Sequence, residues 1–528
     1  MEKNVNINNI PAEKFRFAVQ NDYSHDSKFD TKPVSYFQGA FRRFCKNKGA
    51  VVGGIVIAFL VLFAIIAPFC TPFNPAYYDQ IYAYATPKND LFVGVDFWDG
   101  YKEKNNVGSI EYFKDRALAL ETGYDIIKRG EYEVNEEGTN YSYRFDTYHG
   151  VGFGAYKIIS MEEFLDIQRY QDETGIQVLY PTVALRDRPT TTQDKNNANY
   201  YYKTKTVAGK TRPVTDENGD PIPVYWTYEA GNLSGLMPEY NSKRIEGEDG
   251  FIGEDGKQYF YAYGRLVDGG VEVRAEYYEY YTYRHTEVLK DGIGAPKFLF
   301  GTTGTGKDIF ACLSYGARFS FIFATVVAVV NFIVGVIYGS IAGYFGGRVD
   351  LFMERFSEIL GSVPTMIVIT LLKYHMGASS HILVLFITFF LTGWIGMAGT
   401  TRMQFYRFKN QEYVLAARTL GASDRRIMFK HIFPNGLGTI VTSMALVIPS
   451  MIYSETNLSY LGIINLEAGN TTSVGTLISA GQKAIIIPGA AYVALFPCLF
   501  LVLLMLSFNL FGNGLRDAFN PSLRGSED

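Results

Sequence analysis

Residues 412–435 read EYVLAARTLGASDRRIMFKHIFPN, a basic, helix-forming segment held between two apolar runs long enough to cross a bilayer. Glu412 opens a run of good helix formers, in which Ala416 and Ala417 offer a small, smooth surface for close packing of another protein. Gly421 permits a sharp backbone turn, Asp424 is placed to cap a second helix, and Pro434 is placed to end that helix before the next apolar run. The pattern predicts a short helix lying across one face of a membrane, able to pass force from a soluble partner into the bilayer.

The neighbouring segments supply the membrane part. Residues 50–69, 319–347, 382–401, 436–454 and 484–515 contain no Asp, Glu, Lys or Arg. About 20 apolar residues at about 1.5 Å rise each match the roughly 30 Å hydrocarbon core. A further candidate, residues 351–372, carries Glu354, Arg355 and Glu358 at one end, where they can reach the headgroups. Six transmembrane helices are therefore expected. Arg42, Arg43, Lys46 and Lys48 precede the first, Arg348 follows the second, and Arg402, Arg407, Lys409, Arg418, Arg425, Arg426 and Lys430 lie between the fourth and fifth, with Arg516 and Arg524 after the sixth. The positive-inside rule then puts both termini and the 402–435 loop in the cytoplasm. Pro364, Pro449 and Pro497 are expected to bend their helices. The sparse polar residues Asn331, Ser362, Thr365, Thr388, Thr392, Thr400, Thr442 and Ser443 either face a central cavity or bond a nearby backbone carbonyl.

Average composition hides this, because 48% hydrophobic residues and a mean hydropathy near zero look soluble. Residues 71–300 hold 25 Lys+Arg and 37 Asp+Glu, a net of −12, whereas the remainder carries +8. The chain is thus read as an arm (1–48), a first helix (49–71), an extracytoplasmic insert (72–299), a core with five helices (300–515) and a cytoplasmic tail (516–528). The first 34 residues are polar and the first apolar run is a full span, so no cleavable leader is expected. The insert has 28 of the 39 tyrosines and none of the four cysteines, which excludes a disulfide framework there. Cys45, Cys70, Cys312 and Cys498 read as small buried apolar side chains.

Within the insert, alternation at 259–263, 272–274 and 277–283 predicts strands, separated by turn signals at Asn218-Gly219, 248–250, 254–256 and 268–270. Helices are expected at 109–129 and 161–172. The result is an α+β or mostly β domain. His149 and His285 lie in no ligand-spaced motif, so no metal site is expected. Residues 216–220, DENGD, lack the glycine and terminal Glu of a calcium loop and read as a turn. Paired acids such as Glu162-Glu163 and Glu136-Glu137 read as solvated faces.

The opening segment resembles the EAA loop of membrane subunits of ABC importers, through Leu415-Ala416-Ala417, Gly421 and His431-Ile432-Phe433-Pro434. Leu415 stands where many members have Glu, as in the peptide branch. Residues 35–75 are similar to the N-terminal arm and first helix of the C-type permease of dipeptide and oligopeptide importers. Residues 301–320, GTTGTGKDIFACLSYGARFS, resemble that branch's GTDxxGRDxxSRxxYGARxS signature; 455–462 and 509–523 resemble its ESALSFLG and NLLGDGLRDxLDPRL segments. About 260 of the 528 residues are covered.

The resemblance implies an all-α polytopic membrane protein with six transmembrane helices in the type I ABC importer permease fold, interrupted by the inserted domain. It implies a peptide-import subunit working as half of a heterodimeric channel with a second permease. Glu412, Leu415, Ala416, Ala417, Gly421, Ala422, Arg425 and Pro434 would then form the loop that docks on two ATPase subunits. ATP and magnesium would be bound by those partners, with no cofactor of its own and no nucleic acid. A solute-binding protein or lipoprotein would deliver the peptide from outside, and lipid would surround the helices. Gly301, Gly306, Lys307, Asp308, Gly316, Arg318 and Glu455 mark an outer signature, with Glu455 the candidate for an outer gate contact or an exposed interfacial group.

Thr303, Lys307, Ala311 and Cys312 depart from the family's usual Asp, Arg, Ser and Arg, and 92–96 faintly echo the signature that resumes at 300. Residues 301–307 imitate a nucleotide P-loop, but Asp308 replaces the magnesium-holding hydroxyl and would repel phosphate. A second reading, a membrane-anchored receptor or enzyme, lacks a nucleophile or metal cluster in the insert. An interaction domain rich in tyrosine fits better.

Overall fold

A computed structural model describes residues 36–92, 95–136, 138–151, 155–183, 202–207, 209–229, 236–237, 251–377, 381–464, 466 and 471–519. The arm up to residue 35, Val93 and Gly94 of the echo, Glu137, the turn signal at 248–250 and the tail from 520 with Arg524 lie outside the described residues.

Among the described residues, five helices are long and apolar enough to cross a membrane: Lys48–Phe69, Ile309–Phe345, His381–Phe408, Asp424–Tyr460 and Tyr492–Phe519. The expected third span is not one helix. Gly347–Gly361 and Thr365–Met376 meet at 67°, because Pro364 lacks an amide hydrogen and forces Val363 away from helical geometry. Pro364 therefore breaks its span, whereas Pro449 and Pro497 are buried inside uninterrupted helices. The run 484–515 also divides. A separate helix, Val474–Ala484, is closed by a Ser473/Thr476 capping box, and the chain turns at Gly489 (φ +78°) before the last span begins at Tyr492.

Close backbone approach fixes the helix pairs. Gly335, Gly339 and Gly343 put a smooth stripe of the second span against the fourth, and a β-carbon on Gly339 would sit 2.2 Å from the Ala398 carbonyl oxygen. Dispersion and close fit drive helix association in lipid, so small residues at four-residue spacing belong at such a seam. The first span meets the last the same way, with Gly53 against the Ser507 carbonyl. Arg43, on the short helix Tyr36–Lys46, donates from Nε and Nη2 to the Ala518 carbonyl at 3.0 and 2.9 Å, tying the entry of the first span to the end of the last. Cys312 is buried as expected; Cys45, Cys70 and Cys498 are exposed on the isolated chain.

The insert is a mixed region of antiparallel sheets and helices. One sheet orders Tyr101–Gly108, Asn140–Asp146 and Ile127–Val134; another centres on Gly270–Ala275, paired with Ala155–Ile159, Leu179–Tyr180 and Gly264–Val267. Strands Gln258–Tyr261 and Gly270–Ala275 and helix Met161–Thr174 match the sequence expectation. The helix from Ser109 stops at Thr122, where Gly123 turns left-handed, and residues 127–129 are strand instead. Residues 277–283 are a helix rather than a strand. Glu276 caps it by accepting the Glu279 amide at 2.7 Å, and Tyr277, Tyr280 and Tyr281 share one helical face buried in an aromatic core with Tyr82 and Phe298.

Gly339→Val should destabilise the helical core by about 1–3 kcal/mol, the usual cost of overpacking, whereas Gly396→Ala, with nothing within 4 Å of the new β-carbon, should not. Thermal unfolding of the two purified variants in one detergent checks this.

Candidate functional site

The loop that opens the sequence reading folds as a helix, Glu412–Thr419, a turn, and a second helix. Val414 is its buried anchor, packed with Phe405, Ile427 and Ile432. Leu415 is 46% and Leu420 87% exposed, while Glu412, Ala416 and Arg425 also face outward and Ala417 and Ala422 are half-buried. Gly421 takes φ +81° with nothing within 4 Å of where a β-carbon would be, so its requirement is the left-handed backbone and not space.

Two expectations for this loop change. Asp424 is not the cap: Ser423 holds that position, and Asp424 is the first helical residue, its carboxylate accepting from the Tyr344 hydroxyl at the end of the second span. Arg418 donates to the same hydroxyl at 3.4 Å, so Tyr344 clasps both sides of the turn. Pro434 does not end the helix. Residues Ile427–Ile432 form π-helical turns, after which Pro434, with no amide hydrogen to give, sits at the start of the α-helical stretch Phe433–Tyr460. The helix therefore runs unbroken from Asp424 to Tyr460. At about 1.5 Å per residue it is a rod on the order of 55 Å long.

Glu455 lies near the far end of that rod and is fully buried. Its carboxylate accepts from Ser320 Oγ of the second span at 3.2 Å and from Ser459 Oγ at 2.9 Å. It is thus a tie between spans, not an exposed interfacial group, because the hydroxyls replace the water that a carboxylate would otherwise need. The signature residues surround this end. Gly306 approaches the Asp79 carbonyl and Gly301 the Tyr492 ring more closely than any β-carbon allows. Asp308 caps the second span by accepting the Ala311 amide at 2.8 Å, and Gly316 packs on the Ser473 backbone. Lys307 is half-buried, and Arg318 is exposed over the Phe69 ring.

The P-loop imitation fails on geometry as well as charge: the Thr303, Gly306 and Ile309 amides bond the Lys307, Thr303 and Gly301 carbonyls, so they are not free to cradle phosphate. Most of the polar residues in the spans serve their own backbones. Ser362, Thr388, Thr400, Thr442 and Ser443 donate to carbonyls three or four residues back, and Asn331 donates to the Phe389 carbonyl across the glycine seam. The sequence reading missed Arg402, whose guanidinium grips Asp350 at 2.6 and 2.7 Å and Glu354 at 3.0 Å, fastening the bent pair to the fourth span. It also missed the Gly335/Gly339/Gly343 stripe, which its four-residue spacing could have revealed.

Residues 335–525 match the family described as binding-protein-dependent transport system inner membrane component, and residues 35–87 match the N-terminal TM domain of oligopeptide transport permease C. The oligopeptide transport system permease protein OppC of Bacillus subtilis (strain 168) is 40% identical over 246 residues, which cover 46% of this chain and 78% of that protein. The dipeptide transport system permease protein DppC of the same organism is 40% identical over 43% of this chain and 69% of its own length. OppC of Escherichia coli (strain K12) is 39% identical over 43% and 72%.

The chain belongs to the OppC/DppC-type permeases of binding-protein-dependent ABC transporters. As a permease of this family it is a multi-pass inner-membrane transport subunit without catalysis of its own, one that works with an ATPase and a binding protein. The insert lies between the two stretches of the permease that match.

Tyr344→Phe removes the hydroxyl that Asp424 and Arg418 share. The permease loop should loosen by about 1 kcal/mol, seen as roughly fivefold faster amide hydrogen exchange across 412–426 with the span 309–335 unchanged.

Proposed function

We propose that residues 412–434 form a cytoplasmic docking loop for an ATPase subunit and that the Asp424–Tyr460 helix carries its movement to the outer end of the permease. The observation that carries this reading is the continuity of that helix: the Glu412–Thr419 helix, which presents Leu415, packs through Val414 on Ile427 and Ile432 of an element that runs on to the buried Glu455 tie. Displacement of the loop then moves Glu455, and through its bond to Ser320 the second span shifts with the fifth. Nucleotide-driven closure of two ATPase subunits would bias a two-state equilibrium between inward-open and outward-open forms.

In this reading the cargo is a peptide, as in the names of the OppC and DppC relatives. A second permease completes the channel, and the insert faces the delivering binding protein on the outer side. A cavity of about 370 Å³ at the outer end, lined by Thr303, Thr305, Ser459, Thr476 and Lys483 among others, supports an outer mouth there. A cavity of about 220 Å³ lined by Arg407, Thr442, Ser443 and Arg516 supports an inner one.

Leu420→Asp, Ala417→Asp and Gly421→Val should each abolish peptide-stimulated ATP hydrolysis by the reconstituted importer while leaving membrane insertion intact. Gly421→Val acts through backbone strain of about 1–2 kcal/mol, and the aspartates act by burying a charge at the docking surface. Unchanged stimulation in all three variants would refute the assignment of this loop.

A further inference from the structure

The insert holds a cluster that no spacing in the sequence announces. His149 follows the strand Asn140–Asp146, whereas Glu276 and Glu279 cap and open the helix Tyr277–Tyr283. The fold brings one ligand atom from each within 4.8 Å of the others. Glu276 is fully buried. Its Oε2 accepts the Glu279 amide, but its Oε1 has no hydrogen-bond partner, and neither has His149 Nδ1, which faces it at 3.4 Å. Two atoms that each lie about 2.0–2.1 Å from a tetrahedral ion stand about 3.3–3.4 Å apart. The pair has the separation of two ligands of one cation.

We propose that His149, Glu276 and Glu279 form a binding site for a divalent transition-metal ion of the zinc type.

The surroundings are built for it. The Tyr124 and Tyr278 rings lie against the imidazole, each with its centroid 3.9 Å away, and fix its plane. The Tyr124 hydroxyl donates to Glu279 Oε1 at 2.7 Å and orients that carboxylate, as outer-shell partners of metal ligands do. Two carboxylates and a neutral imidazole supply the −2 that a divalent ion cancels. Asp146 adds negative charge nearby, although its Oδ1 is engaged by the Tyr148 and His149 amides. The Lys88 ammonium, over the Tyr148 and Tyr278 rings, is the opposing charge. Calcium and magnesium take six or more oxygens, so one nitrogen and two carboxylates favour zinc or its first-row neighbours.

Burial pushes Glu276 up to about 8 and His149 below its ordinary 6.5. His149 borders the aromatic core around Tyr143 and Phe145, and Glu276 the one around Tyr277 and Tyr281. An ion there staples two cores of a segment that has no cysteines.

The test uses the full chain in detergent, stripped with a chelator and titrated with Zn²⁺. One ion per chain should remain after gel filtration, with an X-ray absorption edge showing nitrogen and oxygen ligands and no sulfur, which separates this site from the four cysteines. His149→Gln and Glu276→Gln should each weaken Zn²⁺ binding on the order of 100-fold or more, and His285→Gln should not. Absence of zinc in the wild-type chain, sulfur ligation, or unchanged stoichiometry in both ligand variants would overturn the proposal. The absorption signature is read on the unaltered chain, so misfolding of a variant cannot rescue or sink it.

Discussion

Hydrocarbon offers no hydrogen-bond partner, and the organisation of this permease follows from that lack. Every amide and carbonyl in the membrane must be satisfied within a helix or by a neighbouring side chain. Thr388 and Thr442 accordingly turn back onto carbonyls of their own helices, and Asn331 bridges to Phe389 across the seam where three glycines let two helices touch. Where the chain cannot comply, it breaks: at Pro364 the third element bends by 67°, while Asp350 and Glu354 near the start of its first helix are held to the fourth span by Arg402.

The same constraint explains how a soluble partner can act at a distance. A continuous helix transmits displacement along its axis, and the one from Asp424 to Tyr460 runs on through π-helical turns and past both Pro434 and Pro449. One end packs on the Glu412–Thr419 helix through Val414; the other carries Glu455, buried among hydroxyls from two spans. Tyr344 closes the assembly below, holding the turn at Gly421 against the second span. Coupling needs an element with two ends and few ways to bend, and this one has that form.

The insert obeys different rules. It lies between the first two spans, holds most of the tyrosines, and builds cores from stacked and edge-on rings such as Tyr82, Tyr148, Tyr277 and Phe298. Phenolic rings bury area while keeping a polar tip, which suits a small-cored domain without disulfides. Its junction with the permease is close-packed: the Gly301 and Gly306 turns press onto the Ala85 and Asp79 carbonyls.

The sequence alone determined the membrane class, the family, the turn at Gly421 and most helices, because hydropathy runs, charge bias and the Ala-Ala and Gly spacing are local properties of the chain. It misread Tyr277–Tyr283 because a tyrosine-dense run satisfies both the two-residue and the 3.6-residue period, and only the Glu276 cap separates them. Tertiary structure alone decided that Pro434 is passed while Pro364 breaks its span. It alone buried Glu455 against Ser320, 135 residues away, and set His149 beside Glu276 and Glu279. Those outcomes depend on which surfaces meet in space, and no spacing along one chain encodes the partner that a buried polar atom will find.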